Sequence, residues 1–277
     1  MIEIKRKSWL KTVFLLFFAI LILIFFQNGD IMITSIEYKN KEVPDDFDGF
    51  KIMQISDLHN KMFGNGQSEL IKLTKQAAPD MIAITGDLID SYHTNIEAAM
   101  IYVKEAVKIA TVYYVAGNHE HRLDNYLEFT ESLRNAGVIV LDNNKCKIVR
   151  GEDSISVVGL QDPDFCGPRL FAAKLRELTE NNSGFSLLLS HRPEKIDLYS
   201  ECGVNLVMAG HAHGGQIRLP FIGAIFAPGQ GFPPKYTSGL YEVGRTSMVV
   251  SRGLGNSFFP FRIFNRPEII VLTLRTG

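Results

Sequence analysis

The sequence has few cysteines and almost no net charge. No Cys-x-x-Cys pair is present, so we expect Cys146, Cys166 and Cys202 to be buried thiols or to form one disulfide, not a zinc cluster or a disulfide scaffold. Because 29 basic residues face 30 acidic ones, a nucleic-acid binder that relies on bulk positive charge is excluded. The chain also has only 23 glycines and 11 prolines among 277 residues, which excludes a collagen-like or low-complexity protein.

The N-terminal segment differs from this mixed composition. Residues 12–26 read TVFLLFFAILILIFF, and Ser8-Trp9-Leu10 extend the apolar run on the other side of Lys11. A helix over residues 8–26 is long enough to span the ~30 Å hydrocarbon core of a bilayer, and no small-x-small site follows that would mark a cleaved signal peptide, the alternative interpretation. Lys and Arg before the run favour a single-pass cell-membrane anchor, residues 1–26, with the catalytic domain outside the cytoplasm.

Beyond a linker and domain entry at residues 27–49, short apolar runs alternate with amphipathic stretches. This alternation predicts sheet layers flanked by helices, and the sequence contains no internal repeat and no second linker. One α/β domain is therefore predicted over residues 50–277. Strands are predicted at 51–56, 81–85, 111–115, 154–158, 186–189, 205–209, 247–250 and 268–274, and helices at 67–78 and 95–110.

Polar and ionisable side chains stand directly after five of these predicted strands. Since sites in α/β proteins assemble at the carboxyl ends of strands, the five segments can deliver their side chains to one edge. Each short motif alone also fits a turn, a helix cap or a buried structural histidine, but the five in this placement favour a shared site. The residues are Asp57, His59, Asp87, Asn118, His119, His191, His211 and His213.

The spacing of these residues indicates metal binding. In Asp57-x-His59 the two side chains are two positions apart, so an extended chain directs both to one side, where they can bind one ion. The same holds for His211-x-His213. Asp87 has two carboxylate oxygens and can bridge two ions.

Asn118 and His191 would complete the shell of a second ion. Oxygen and nitrogen ligands without thiolate suit Mn²⁺, Fe²⁺ or Zn²⁺, and two such ions ~3.5 to 4 Å apart can activate a bridging hydroxide and polarise a phosphoryl group. No Ser or Cys stands in a nucleophile-elbow context, so hydroxide is the expected nucleophile. His93 and His121 are expected to be structural.

These motifs resemble the calcineurin-like metallophosphoesterases. The family pattern is D-x-H, G-D, G-N-H-[DE], a later H and G-H-x-H, and the sequence contains every part in this order. The resemblance covers roughly residues 50–274. The segments PDDFDGFKIMQISDLH, GHAHGGQIRLP and SRGLGNSFFPFRIFNRPEIIVLTL are similar to a membrane-associated bacterial branch, which includes cell-envelope phosphoesterases and some UDP-2,3-diacylglucosamine hydrolases.

The resemblance implies an α/β fold, a four-layer α/β/β/α sandwich, which here would follow the N-terminal transmembrane helix. It also implies two divalent metal ions and a phosphate ester or pyrophosphate as substrate. His119 is expected to contact phosphate and to stabilise or protonate the leaving oxygen. By the same resemblance, one ion would be bound by Asp57, His59 and His213, the other by Asn118, His191 and His211, and Asp87 would bridge them.

Two alternatives accompany this interpretation. A UDP-2,3-diacylglucosamine-type pyrophosphate hydrolase would require the site to face the cytoplasm, and a non-catalytic metal-binding envelope protein is disfavoured by the complete set of ligands.

The predicted membrane anchor would hold the domain close to a bilayer. Together with the apolar stretches Phe258-Phe259-Pro260-Phe261 and Pro220-Phe221-Ile222, this proximity favours a lipid-linked substrate. The same side chains also fit packing in the core and in turns.

Overall fold

The computed structural model describes residues 2–256 and 259–277, and within the N-terminal helix the side chains of residues 2–8, 16, 19, 20 and 23–26 are not described. Phe258, in one of the apolar stretches above, thus lies outside the described residues. The helices of the described part are, in chain order, α1 (Ile2–Gly29), α2 (Ser68–Ala77), α3 (Ile96–Ala106), α4 (Asn118–His121), α5 (Tyr126–Asn135), α6 (Pro168–Thr179) and α7 (Ile196–Glu201). The strands are β1 (Met32–Asn40), β2 (Lys51–Ile55), β3 (Met81–Thr85), β4 (Thr111–Val115), β5 (Ile139–Val140), β6 (Asn144–Arg150), β7 (Asp153–Gly159), β8 (Ser186–Leu189), β9 (Leu206–Ala209), β10 (Arg218–Leu219), β11 (Gly223–Ala224), β12 (Gly239–Val243), β13 (Thr246–Val250) and β14 (Glu268–Thr276).

Most of these strands belong to two six-stranded sheets. The first has the order β1-β14-β2-β3-β4-β5, in which β2 to β5 run parallel and β14 is antiparallel to β2. The second has the order β12-β13-β9-β8-β7-β6, with parallel inner strands and an antiparallel strand at each edge. The parallel strands of both sheets therefore carry the loops that can meet at one edge.

Alternation along the strands decides which side chains enter which part of the core. In β3, Met81 and Ala83 belong to a cluster that both sheets share, whereas Ile82 and Ile84 belong to a cluster with α2, α3 and α5. The second sheet contributes its other face to a third cluster, with α6 and α7. Since strand side chains point alternately to opposite faces, apolar residues at every position of β3 indicate a strand covered on both sides.

All eight predicted strands are present, as β2, β3, β4, β7, β8, β9, β13 and β14, and the two predicted helices are α2 and α3. The helix predicted to reach residue 110 ends earlier, at Ala106. The N–H groups of Lys108 and Ile109 bond to carbonyls three residues back, at 3.2 and 2.9 Å. This tighter pattern ends the α-helix.

The segment at residues 27–49, predicted to be a linker, contains a strand of the first sheet. β1 pairs in parallel with β14 along its whole length, from Met32 opposite Glu268 to Asn40 opposite Thr276. Its inward positions include Ile36 and Tyr38, between exposed or polar neighbours. An edge strand of this kind has a period of two but few apolar residues, which is why the sequence did not identify it.

The C-terminal end of α1 contacts the segment that precedes β14. Asn28 donates from Nδ2 to the carbonyl of Arg262 at 3.2 Å, and its Oδ1 accepts from the N–H of Arg262 at 2.8 Å. Within residues 2–256 and 259–277, no helix has both the length and the apolar character needed to cross a membrane. The transmembrane helix predicted for residues 8–26 is therefore not confirmed, and some of its side chains lie outside the described set.

Candidate metal centre and active site

Five of the predicted site residues have a left-handed backbone conformation. Their φ angles lie between 47° and 66° in loops that follow β2, β3 and β9. For residues other than glycine this conformation costs of order 1 kcal/mol or more, and it persists only where the surrounding structure enforces it. Such strain is typical of functional sites. The five residues are Asp57, His59, Asp87, His211 and His213.

Two glycines allow these loops to approach one another. Gly86 has a φ of +89°, and a Cβ there would lie 2.6 Å from Nδ1 of His191. A Cβ at Gly210 would overlap Oγ of Ser56 and lie 2.5 Å from Oδ2 of Asp57. A side chain at either position would therefore displace the loops that carry the site residues.

The first group of ligand atoms is formed by Asp57, His59, Asp87 and His213, all buried. Nε2 of His213 lies 3.2 Å from Oδ1 of Asp57 and 3.2 Å from Nε2 of His59. Nε2 of His59 lies 3.6 Å from Oδ2 of Asp87. Donor atoms that share one ion at about 2.1 Å lie roughly 3.0 to 3.5 Å from one another, so this group fits a single divalent ion.

The second group is formed by Asp87, His191 and His211, which are also buried. Nδ1 of His191 donates to the carbonyl of Thr85 at 2.7 Å, so the lone pair of a neutral ring is on Nε2. That Nε2 lies 3.1 Å from Oδ2 of Asp87 and has no hydrogen-bond partner within the described part of the chain. Two lone pairs facing each other at this distance need a proton or a cation between them.

Asn118 extends the second group with an oxygen. Its side chain is buried, and its Oδ1 has no hydrogen-bond partner among the described residues. A buried amide oxygen without a partner is costly unless a donor or a cation satisfies it. The residues present therefore fit a second ion, as the sequence predicts.

Backbone hydrogen bonds fix the shared carboxylate. Oδ1 of Asp87 accepts from the N–H of His119 at 2.8 Å. Glu120, which is fully buried, accepts at Oε2 from the N–H groups of Asp87 and Gly117, both at 2.8 Å, and at Oε1 from that of Ile89 at 3.0 Å. The carboxylate of Glu120 thus ties the loop after β3 to α4. The position of Glu120 in the G-N-H-[DE] motif did not reveal this role.

His119 lies beside both groups without joining the ligands predicted for them. Its Nδ1 accepts from the N–H of Ser91 at 3.1 Å, which places the proton of a neutral ring on Nε2. Oδ1 of Asp90 lies 3.7 Å from the same Nδ1, and the ring of Tyr92 packs edge-on against that of His119. Asp90 and Ser91 were missed by the sequence reasoning, although they follow Gly86-Asp87 closely in the chain.

Burial and charge together set the pKa values in the site. Burial raises the pKa of Asp57 to about 6 and lowers that of His59 to about 4. Burial is the largest single influence on Asp87 and His191 and disfavours their charged forms, but the opposite charges around each, first of all that of the other, together outweigh it. The pKa of Asp87 is therefore held well below its usual value, and that of His191 rises to about 10.

Arg192 connects the second group to a pair of acidic residues. Its guanidinium forms a bidentate ion pair with Asp162 and lies 3.1 Å from Oδ2 of Asp164. Its Nη1 also donates to Nε2 of His211 at 3.0 Å. Because a guanidinium can only donate, Arg192 would have to move if an ion took the Nε2 lone pair of His211, and equally if an ion at Nδ1 moved the ring proton to Nε2.

A polar cavity of about 280 Å³ opens over the two groups. Arg122 and Arg192 place positive charge on its wall, which suits an anionic ligand. His93 and His121 belong to neither metal group, and His121 packs its ring against Phe165. The cavity is lined by Asp87, Tyr92, Asn118, His119, Arg122, Asp164, Arg192, His211, His213, Pro228 and Gly229.

Comparison with known proteins identifies the class to which this fold and site belong. Residues 50–215 match the family model described as calcineurin-like phosphoesterase. The chain is also 33% identical over 251 residues to the uncharacterized metallophosphoesterase YkuE of Bacillus subtilis (strain 168), covering 88% of this chain and 86% of that protein. The chain therefore belongs to the calcineurin-like phosphoesterase family, and it is a metal-dependent phosphoric ester hydrolase by class.

Two further similarities agree with this assignment. The phosphodiesterase YaeI of Escherichia coli (strain K12) is 29% identical over 232 residues, covering 81% of this chain and 82% of that protein. The crystal structure of TT1561 from Thermus thermophilus superposes with a TM-score of 0.52 at 13% identity, over 74% of this chain and 90% of that one. At this identity the second similarity concerns the fold alone.

Proposed function

We propose that this protein uses two divalent metal ions to hydrolyse a phosphate ester or a pyrophosphate. The observation that carries the proposal is that two buried groups of acidic and histidine side chains share Asp87 beside a polar cavity. A carboxylate common to both groups would hold two ions at the ~3.5 to 4 Å separation typical of two-metal hydrolases.

The ligand sets follow the two groups. Bound there, Mn²⁺, Fe²⁺ or Zn²⁺ would act as Lewis acids toward a phosphoryl oxygen and toward water. The protein fixes the ligands beforehand, through the bond from His191 to Thr85 and those from backbone N–H groups to Asp87 and Glu120. We assign Asp57, His59 and His213 to one ion, Asn118, His191 and His211 to the other, and Asp87 to both.

His119 is the candidate catalytic residue. Its proton lies on Nε2, because Nδ1 accepts from Ser91, and the residue lines the polar cavity. From there it can donate a hydrogen bond to a phosphate oxygen or a proton to the leaving oxygen. Arg122 and Arg192 would attract the anionic substrate into the same cavity.

The three hydrophobic clusters support the expected four-layer architecture. One lies between side chains of both sheets, and each of the other two joins one sheet to helices. We propose that these clusters are the three interfaces of an α/β/β/α sandwich.

We also propose that α1 anchors the protein in the cell membrane, with the catalytic domain outside the cytoplasm. The support is the uncharged run at residues 12–26, the basic residues before it, and the exposed large apolar side chains of the described part of α1. Those side chains include Leu10, Phe14, Leu15 and Ile22.

The experiment that tests the enzymatic proposal uses the full chain with Mn²⁺, Fe²⁺ or Zn²⁺. We expect turnover of bis(4-nitrophenyl) phosphate or 4-nitrophenyl phosphate, its loss on chelation, and its return when metal is restored. Elemental analysis should find two ions per chain. A protein that contains two ions and hydrolyses neither ester nor a pyrophosphate diester would contradict the proposal.

A further inference from the structure

A second cavity, of about 460 Å³, adjoins the polar cavity over the metal centre. His213 and Pro228 line both cavities, so the two share a wall at a predicted metal ligand. All residues that line the second cavity, except His213 and Gln216, are apolar residues or glycine. They are Ala212, His213, Gly215, Gln216, Ile217, Ile225, Phe226, Pro228 and Phe259.

Buried amides hold the walls of this cavity together. Nε2 of Gln216 donates to the carbonyls of Phe259 and Phe261, at 2.9 and 3.3 Å. Nδ2 of Asn265 donates to the carbonyls of His213 and Gln216, at 2.7 and 3.2 Å. These bonds connect the apolar wall directly to the loop that carries His213, so the cavity has a fixed position relative to the metal centre.

The cavity reaches the surface between aromatic side chains. Phe226 and Phe259 line it, and their side chains are 52% and 41% exposed. Phe221 and Ile222, in the turn between β10 and β11, are also exposed. An apolar cavity with an apolar entrance is a poor site for water or for a hydrophilic alcohol.

We infer that the apolar cavity binds the hydrocarbon chain of the substrate whose phosphate lies at the metal centre. The inference rests on the proposed function and specifies its substrate class, an ester or pyrophosphate of a lipid. A single molecule with a phosphate and a hydrocarbon chain matches a polar and an apolar cavity that share a wall. The volume of the apolar cavity, about 460 Å³, is within the range of ligand pockets.

The test measures kcat/KM for alkyl 4-nitrophenyl phosphates with chains of one, four, six and eight carbons. The full chain is held in lipid nanodiscs, and the esters are kept monomeric. Hydrolysis breaks the bond from phosphorus to the 4-nitrophenyl oxygen, and water supplies the new oxygen and the protons. We expect kcat/KM to rise by up to about fourfold per methylene until the cavity is filled.

Two cavity variants and a matched control localise the effect. Ile225→Trp fills the cavity and should abolish the chain-length dependence, so that the four esters are hydrolysed with similar kcat/KM. Ile225→Ala enlarges the cavity and should move the optimum to a longer chain. Leu127→Trp, at an exposed position of α5 that lines neither cavity, should keep the wild-type dependence.

The outcomes separate this inference from the proposed function. Absence of turnover for every ester, the methyl ester included, would contradict the proposed function. Turnover that is independent of chain length would leave the proposed function intact and overturn the inference. The apolar cavity would then have another occupant, such as an apolar side chain of a second molecule. An unchanged chain-length dependence in both Ile225 variants would overturn it as well.

Discussion

The backbone N–H of His119 donates to Oδ1 of Asp87 over 2.8 Å, so the candidate catalytic residue and the shared metal ligand are joined through the main chain. The imidazole of His119 takes no part in this bond. Removing the imidazole should therefore leave the carboxylate in place, whereas changing the carboxylate alters both metal groups. The two residues can be tested separately for this reason.

His119→Ala should keep the metal content of the wild type and lower kcat by ~10²-fold or more, because a proton donor to the phosphate or leaving oxygen is lost. His121→Ala is the matched control, since His121 lies in the same helix but outside both metal groups. Elemental analysis and steady-state kinetics of the two variants provide the measurement. A metal-poor His119→Ala protein would show that His119 is a ligand.

Asp87→Asn should remove activity and much of the metal together, because one charge is lost from both groups at once. Asp80→Asn, before the first residue of β3, is a control with an exposed carboxylate far from the site. We expect the control to retain both ions and near-normal kcat. Retention of both ions by Asp87→Asn would disprove the bridging role.

Metal affinity should fall as the pH is lowered. In the metal-free protein burial raises the pKa of Asp57 to about 6. At His191 the acidic side chains of Asp87, Asp57 and Asp162 together outweigh burial and raise the pKa to about 10. Both residues bind metal only when deprotonated. The ion at His191 therefore displaces a proton at neutral pH, whereas the ion at Asp57 displaces one only below about pH 6.

As the pH falls, the dissociation constant of the ion at His191 should therefore rise about tenfold per pH unit from neutrality downward, and that of the ion at Asp57 should do so only below about pH 6. Calorimetry in buffers of different ionisation enthalpy should find about one proton released at pH 8 and close to two at pH 5. If the number of released protons did not change with pH, the protonation states assigned to these two residues would be incorrect.

The extent to which sequence predicted this site depends on where each residue stands in the chain. Asp87 and His191 follow buried strands whose apolar runs are unmistakable, so both the strands and the convergence of their ends could be predicted. Arg192 and Asp162 could not, because their ion pair joins positions 30 residues apart with no periodic signal. β1 was missed because an edge strand with one exposed face carries few apolar residues.

Cell fractionation tests the membrane proposal. The full chain should sediment with membranes and resist extraction by high salt and by carbonate, because an uncharged run such as residues 12–26 partitions strongly into hydrocarbon. Replacing two apolar residues of this run by charged ones, for example Phe14→Asp with Leu15→Lys, should release the protein. Recovery of a soluble wild-type form that begins near residue 27 would indicate a cleaved signal peptide instead.

The oxygen that attacks phosphorus should come directly from water. Among the described residues that line the polar cavity none is a serine, threonine or cysteine, and its aspartates and histidines are assigned to metal, to Arg192 or to proton donation. A covalent phosphoenzyme is therefore not expected. In a single turnover with enzyme in excess in ¹⁸O-labelled water, one labelled oxygen should be present in the phosphate product. If the first turnover gave unlabelled product and label entered only later, a side chain would be the nucleophile, and the proposed mechanism would have to be abandoned.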